Sequence, residues 1–154
     1  MAIVSVRQAH AADRDELARM RTLLWPDATF EEHRNEVDAM LQNKVTSTLP
    51  TVTLVAQLED GTQIGFLEAG LRSHADGCDI AQPTGYVEGW FVHEPHRHRG
   101  VGAQLMRAAE EWARTHGCRE MASDALIDNP LSQCAHEAMG FEVVDRCVHY
   151  RKNL

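Results

Sequence analysis

The run His96–Leu105, HRHRGVGAQL, sets two glycines two apart behind a basic stretch and directly ahead of an amphipathic pattern. A glycine turn that opens a helix points successive backbone N–H groups, and the positive end of the helix dipole, into one concavity; Arg97 and Arg99 add charge beside it. Such a cradle suits an anion the size of a diphosphate. Gly100-Val101-Gly102 alone is a common turn, and its place between an apolar strand and a helix is what gives it chemistry. A Walker loop is excluded because no Gly-Lys-Ser/Thr follows, and a dinucleotide fingerprint fails because the third position after Gly102 is Leu105 rather than glycine. Upstream, Glu88 interrupts the apolar run YVEGWFV, where an unpaired carboxylate is costly and a functional role is favoured over a decorative one.

The charge balance favours a cationic guest. The 154 residues carry 23 acidic against 15 basic side chains, a formal net charge of −8, which argues against nucleic acid as the partner. The same acidity also serves solubility, so composition leaves both readings open. No apolar run approaches the ~18 residues of a membrane span, and the short apolar N-terminus carries no secretory cleavage pattern. The chain reads as one cytoplasmic domain over residues 1–154. Cys78, Cys118, Cys134 and Cys147 form no C-x-x-C pair and read as free thiols. The histidines of HEPHRHRG lack the i, i+4 spacing of a zinc helix and sit beside Arg97 and Arg99, so no metal is expected.

The cradle needs a strand to deliver it and a helix to open from it. YVEGWFV, Tyr86 to Val92, supplies the strand; Val101, Leu105, Ala108 and Trp112 recur at helical spacing up to a C-cap at Gly117. Before them, IVSVR reads as a strand. Two helices follow, DRDELARMRTLLW with Asp13 and Glu16 spaced like a capping box, and TFEEHRNEVDAML with Thr29 and Glu32 likewise. A turn is expected at TSTLP, then a hairpin of TVTLVAQL and QIGFLEAGLR about Asp60-Gly61. Ser73 to Gly85 is a polar loop long enough to be functional. CREMASD gives a strand, NPLSQCAHEAMG a short helix, and FEVVDRCVHYRK one or two final strands. The order β-α-α-β-β-β-α-β-α-β-β is that of an α/β domain with a mixed, mostly antiparallel sheet flanked by helices.

Arg97-His98-Arg99-Gly100-Val101-Gly102 resembles the pyrophosphate loop of the GCN5-related N-acetyltransferases (GNAT), whose pattern is Arg or Gln, two residues, Gly, one residue, then Gly or Ala. The element order resembles that fold throughout, and NPLSQCAHEAMGF resembles its asparagine and Gly-Phe signature. The resemblance implies acetyl-coenzyme A as donor. Backbone groups of Trp90, Phe91 and Val92 would then face pantetheine and thioester, those of His98, Arg99, Gly100, Val101, Gly102 and Ala103 the pyrophosphate, and Asn129 the pantetheine arm. LLWP, VEGWFV, GCREMASD, the tail HYRK and Asp-Gly-Cys-Asp in the long loop further resemble the aminoglycoside 6'-N-acetyltransferases. That resemblance implies a polycationic antibiotic as acceptor, resistance as outcome and a homodimer as assembly. It assigns Trp25, Glu88, Asp124 and Asp145 to the sugar pocket and Asp76 and Asp79 to a nearby lid. Bland alternatives stand beside these: Trp25 as a staple between two helices, Asp124 as a turn or cap residue, Asp145 as a solvated carboxylate replaceable by Glu142.

The implied chemistry is attack of a primary amine on a thioester. At pH 7 an alkylamine of pKa near ~10 is about one part in a thousand deprotonated, so a base is required. Glu88 or Asp124 would take the proton, directly or through water, and the Val92 N–H would polarise the carbonyl. The superfamily usually offers a tyrosine to the leaving thiolate four residues before the Gly of Gly-Phe, and this chain has His136 there. His136 as general acid, His136 as a helix residue touching the donor, and Tyr150 as a substitute all stay open. Rival functions are acetylation of another amine, such as a polyamine or protein N-terminus, and a non-catalytic acetyl-coenzyme A-binding module.

Overall fold

Alternation of apolar residues turns Thr51–Leu58 (β2) and Gln63–Arg72 (β3) into a hairpin closed by Asp60-Gly61, where Gly61 adopts φ +86° and the Thr62 N–H donates to the Asp60 carboxylate at 2.9 Å. The computed structural model describes residues 3–44 and 49–154; Thr46–Thr48 of the expected TSTLP turn lie outside the described residues. Val4–Gln8 (β1), Thr84–Val92 (β4) and Met121–Ser123 (β5) complete a sheet of order β1-β2-β3-β4-β5, antiparallel except for the parallel β4–β5 pair. The helices are Arg14–Leu24 (α1), Phe30–Leu41 (α2), Val101–Thr115 (α3) and Pro130–Ala138 (α4).

Because side chains alternate across a strand, the sheet supports a core on each face. On one, Val101, Leu105, Met106 and Ala109 of α3 pack against Leu54, Ala56, Leu67 and Val87. On the other, Leu17 and Met20 of α1 and Val37 of α2 cover Val55, Phe66 and Phe91. Each such Leu or Phe contributes roughly 1.5–3 kcal/mol by burial.

β4 departs from a regular strand in two ways. Its register with β3 shifts so that Glu68 pairs with Gly89 and Ala69 with Val87, leaving Glu88 as the extra residue of a β-bulge. Its pairing with β5 ends at Val87–Ser123, so among the described residues no strand runs beside Glu88–Val92 on that side. Beyond that pair β4 runs on without β5 beside it.

Three expectations are corrected. Asp13 does not cap α1; it closes a 3-10 turn at Ala11–Asp13 and lies buried, accepting from both terminal nitrogens of Arg7 at 2.7 and 2.9 Å, from the His10 N–H at 2.8 Å and from the Gln63 amide at 2.7 Å. CREMASD yields only the three-residue β5. FEVVDRCVHYRK forms no strand: an extended segment needs an adjacent edge to bond, and in one chain its apolar Val143, Val144 and Val148 stay exposed.

Burial pushes the Asp13 carboxyl up, but the forked Arg7 guanidinium and the His10 N–H outweigh it and leave the group below its ordinary value. A carboxylate depressed in the folded state contributes stability that is complete above its unfolded value near ~4 and is lost as pH falls through the folded value. Asp13→Asn is expected to cost about 1–3 kcal/mol at pH 7 and less at pH 3. Thermal unfolding at the two pH values measures it; an equal loss at both would remove the carboxylate's charge from the explanation.

Candidate active site

The cradle forms because the chain between β4 and α3 turns twice through left-handed conformations, at His98 (φ +58°) and Gly100 (φ +81°). Gly100 is the N-cap and has no side chain to cap with, and the first helical bond runs from the Gln104 N–H to the Gly100 carbonyl at 3.0 Å. The N–H groups of Val101, Gly102 and Ala103 are therefore the orphan donors of the helix start. Arg97, His98 and Arg99 are exposed around them. Arg97 also braces the turn, its Nε donating to the Val92 carbonyl at 2.8 Å. Such a site fits a diphosphate by donor number, dipole and charge.

Trp90 ties the cradle to β4. Its indole N–H donates to the Gly102 carbonyl at 3.2 Å, and a Cβ at Gly102 would stand 3.1 Å from its ring. Phe91, by contrast, turns into the α1–α2 core. Beyond β5, Asn129 caps α4 by accepting from the Ser132 N–H at 3.1 Å, which leaves its NH₂ outside the cap.

His136 is wedged edge-on between Trp90 and Phe141, with ring centroids 5.4 Å from each. Its Nδ1 lies 2.7 Å from the Ser132 carbonyl, which can only accept, so Nδ1 carries a proton; Nε2 lies 2.7 Å from the Ser123 hydroxyl, which can serve it as donor or acceptor. Both nitrogens have protein partners, and the ring joins α4 to β5 and β4. His136→Phe is expected to hold kcat within about tenfold, below the 10²–10⁴ span of general acid catalysis. A pH–rate profile from 6 to 9 checks this, and a loss of a hundredfold or more would return the proton to His136.

A second polar group centres on the bulge. Glu88 projects to solvent and is forked by Arg72, whose nitrogens donate to its oxygens at 2.9, 2.9 and 3.1 Å. The Arg72 guanidinium lies 3.4 Å from the Tyr86 ring centroid, and the Tyr86 hydroxyl donates to Asp124 at 3.0 Å. Burial, with the Asp124 charge beside it, pushes the phenol up to about 12, so it stays a donor across the working pH range. Glu88, Arg72, Tyr86 and Asp124 thus form one connected chain.

Trp25 packs between the α1–α2 core and the bulge. Its ring packs edge-on against Phe66, and a Cβ at Gly89 would come within 2.5 Å of it, so it reaches the bulge beside Glu88. Beneath it, Arg21 stacks 4.8 Å from the Trp25 ring and pairs with the buried Glu68 and with Glu36, while His33 Nε2 lies 2.9 Å from the Trp25 carbonyl. Burial pushes the Glu68 carboxyl up against the pull of Arg21.

Other residues do not converge on this chain. Asp79 spends its carboxylate on the Ala81 N–H and the Gln82 amide, and Asp76 pairs with His74 at 3.6 Å. Asp145 accepts from the Arg146 N–H, and Tyr150 is 92% exposed on the tail. Among the described residues none of these shares a hydrogen bond or ion pair with Glu88 or Asp124, no group of three or more His, Cys, Asp or Glu is arranged to hold a metal, and no helix is long and apolar enough to cross a membrane. Sequence reasoning missed Arg72 and Tyr86. Tyr86 stands two residues before Glu88, and Arg72 ends the neighbouring strand of the hairpin; that was the available signal.

A mixed sheet that opens beside β4 and feeds a glycine turn at a helix start defines a transferase of the N-acetyltransferase class. Comparison with known proteins agrees: the profile of the acetyltransferase (GNAT) family matches residues 17–141, and the chain belongs to that family. It is 40% identical to an aminoglycoside N(6')-acetyltransferase type 1 of Klebsiella aerogenes, covering 97% of this chain and 96% of that one. It is 35% identical to the protein of the same description from Salmonella typhimurium, covering 97% and 99%. Among solved structures, the aminoglycoside N-acetyltransferase AAC(6')-Iy in complex with coenzyme A superposes with a TM-score of 0.89 at 33% identity, covering 100% of this chain and 97% of that one. The same enzyme with the bisubstrate analogue CoA-S-monomethyl-acetylneamine gives 0.87 at 34%, covering 99% and 100%.

Proposed function

We propose that this protein transfers the acetyl group of acetyl-coenzyme A to the 6'-amine of aminoglycoside antibiotics and so confers resistance to them. One observation carries the reading: a single strand, β4, runs from a carboxylate at its bulge, linked through Arg72 and Tyr86 to Asp124, to an amide cradle at its end, and among the described residues no strand pairs with its second half on the β5 side. The relatives' names supply the acceptor class. Bound there, acetyl-coenzyme A supplies an activated thioester.

Val101, Gly102 and Ala103 present the amides for the diphosphate, and the Asn129 NH₂ serves the pantetheine arm. The Val92 N–H stabilises negative charge on the thioester oxygen. Glu88 and Asp124 attract the polycation and take the ammonium proton through water. Tyr86 holds Asp124 for that task and cannot itself act as the base near neutrality. Trp25 gives the sugar an apolar shelf beside Glu88, with Asp76, Asp79 and Asp145 as outlying negative charge.

The working form is a cytoplasmic homodimer of one acetyltransferase domain per chain. In support, Val143, Val144 and Val148 stand 63%, 65% and 73% exposed on a run patterned as a strand, which a second copy would cover. Thiol release from acetyl-coenzyme A, measured with aminoglycosides, polyamines and an N-terminal peptide in parallel, tests the function; turnover confined to polyamine or peptide would overturn it.

A further inference from the structure

The Glu88–Asp124 patch holds one cation for two carboxylates. Asp124 has the Tyr86 hydroxyl as its only side-chain partner among the described residues, whereas both oxygens of Glu88 are taken by Arg72. That guanidinium has a second support, the Tyr86 face at 3.4 Å. Arg72 and Glu88 are 44% and 45% exposed, so their pair is screened by water and separable at small cost.

We infer that Arg72 is a specificity-determining residue that occupies the acceptor's cation position in the empty enzyme, and that an incoming ammonium must displace it from Glu88. This rests on the proposed placement of the aminoglycoside at Glu88. In the empty site Arg72 neutralises Glu88 and holds it beside the bulge. A polycationic guest neutralises Asp124 with one ammonium and competes for Glu88 with another, while the guanidinium slides along the Tyr86 ring. An acceptor with a single positive charge is satisfied at Asp124 and leaves the Arg72–Glu88 pair in place, so the cost of displacing Arg72 falls on polycations alone.

The test is a calorimetric titration with kanamycin, in the presence of coenzyme A, on wild type, Arg72→Gln and Glu88→Gln, each checked by thermal unfolding. Removing the resident cation is expected to tighten kanamycin about two- to fivefold, the scale of an exposed ion pair, and to leave the coenzyme A affinity unchanged. Arg72→Lys, which cannot fork both oxygens, should tighten it less; that variant carries the test if Arg72→Gln does not fold. A residue that merely supported Glu88 would move affinity the other way, so unchanged or weaker kanamycin binding in Arg72→Gln overturns the inference. Glu88→Gln separates the two levels. If it weakens kanamycin binding while Arg72→Gln fails to tighten it, only the role of Arg72 falls; if it has no effect, the placement at Glu88 falls with it.

Discussion

A kanamycin-like aminoglycoside with a 6'-amine is expected to release thiol from acetyl-coenzyme A, while its counterpart with a 6'-hydroxyl turns over about 10⁴-fold more slowly or not at all. Two effects combine. The hydroxyl brings no positive charge to Glu88 and Asp124, and a site built to pair a charged group rejects the analogue lacking it by a factor of that size. The hydroxyl is also the poorer nucleophile, and the site holds no strong base to activate it: Tyr86 stays protonated up to about pH 12, and His136 has both nitrogens engaged. Added salt should weaken aminoglycoside binding, since screening at ~0.15 M ionic strength already removes much of the long-range attraction. Equal turnover of both compounds, or of neither, would overturn the regiochemistry.

How far the sequence discloses this site depends on whether each feature is local. Thr29 and Glu32 do form the capping box their spacing suggests, with the Thr29 hydroxyl accepting from the Glu32 N–H at 3.2 Å and the Glu32 carboxylate accepting from the Thr29 N–H at 2.7 Å. The Asp60-Gly61 hairpin, the glycine turn before α3 and the Asn129 cap are equally local, each written within four or five residues. Asp13 has the same local spacing but a different fate, because Arg7 and Gln63 reach it from two strands and no window of one helix contains them. The bulge at Glu88 is likewise a property of the β3–β4 register rather than of β4. Arg72 stands sixteen residues from Glu88 along the chain and meets it only because β3 and β4 pair antiparallel across the long loop between them. The final strands failed for a further reason: a strand is a relation between two segments, and FEVVDRCVHYRK holds only one of them.

Gly102→Val is expected to raise the acetyl-coenzyme A KM by about 10²–10⁴-fold. Losing two charge-assisted bonds from the cradle, at roughly 1.5–3 kcal/mol each, sets that range. A Cβ at Gly102 stands 3.1 Å from Trp90 Cζ2 and 3.3 Å from its Nε1, tighter than ordinary contact, and the branched methyls of valine push the indole further. The indole is also the donor to the Gly102 carbonyl, so its displacement loosens the first turn of α3 as the new side chain fills the approach to the Val101–Ala103 amides. Gly102→Ala adds only the Cβ, which Trp90 accommodates by a few tenths of an ångström, and should cost no more than about tenfold if two lost bonds account for the valine effect. Because Trp90 is half-buried and Gly102 has ordinary helical geometry rather than a left-handed one, neither substitution strains the backbone, and the fold should survive both. Calorimetric coenzyme A affinities on variants with intact thermal unfolding decide the matter: wild-type affinity in a folded Gly102→Val protein would place the diphosphate elsewhere.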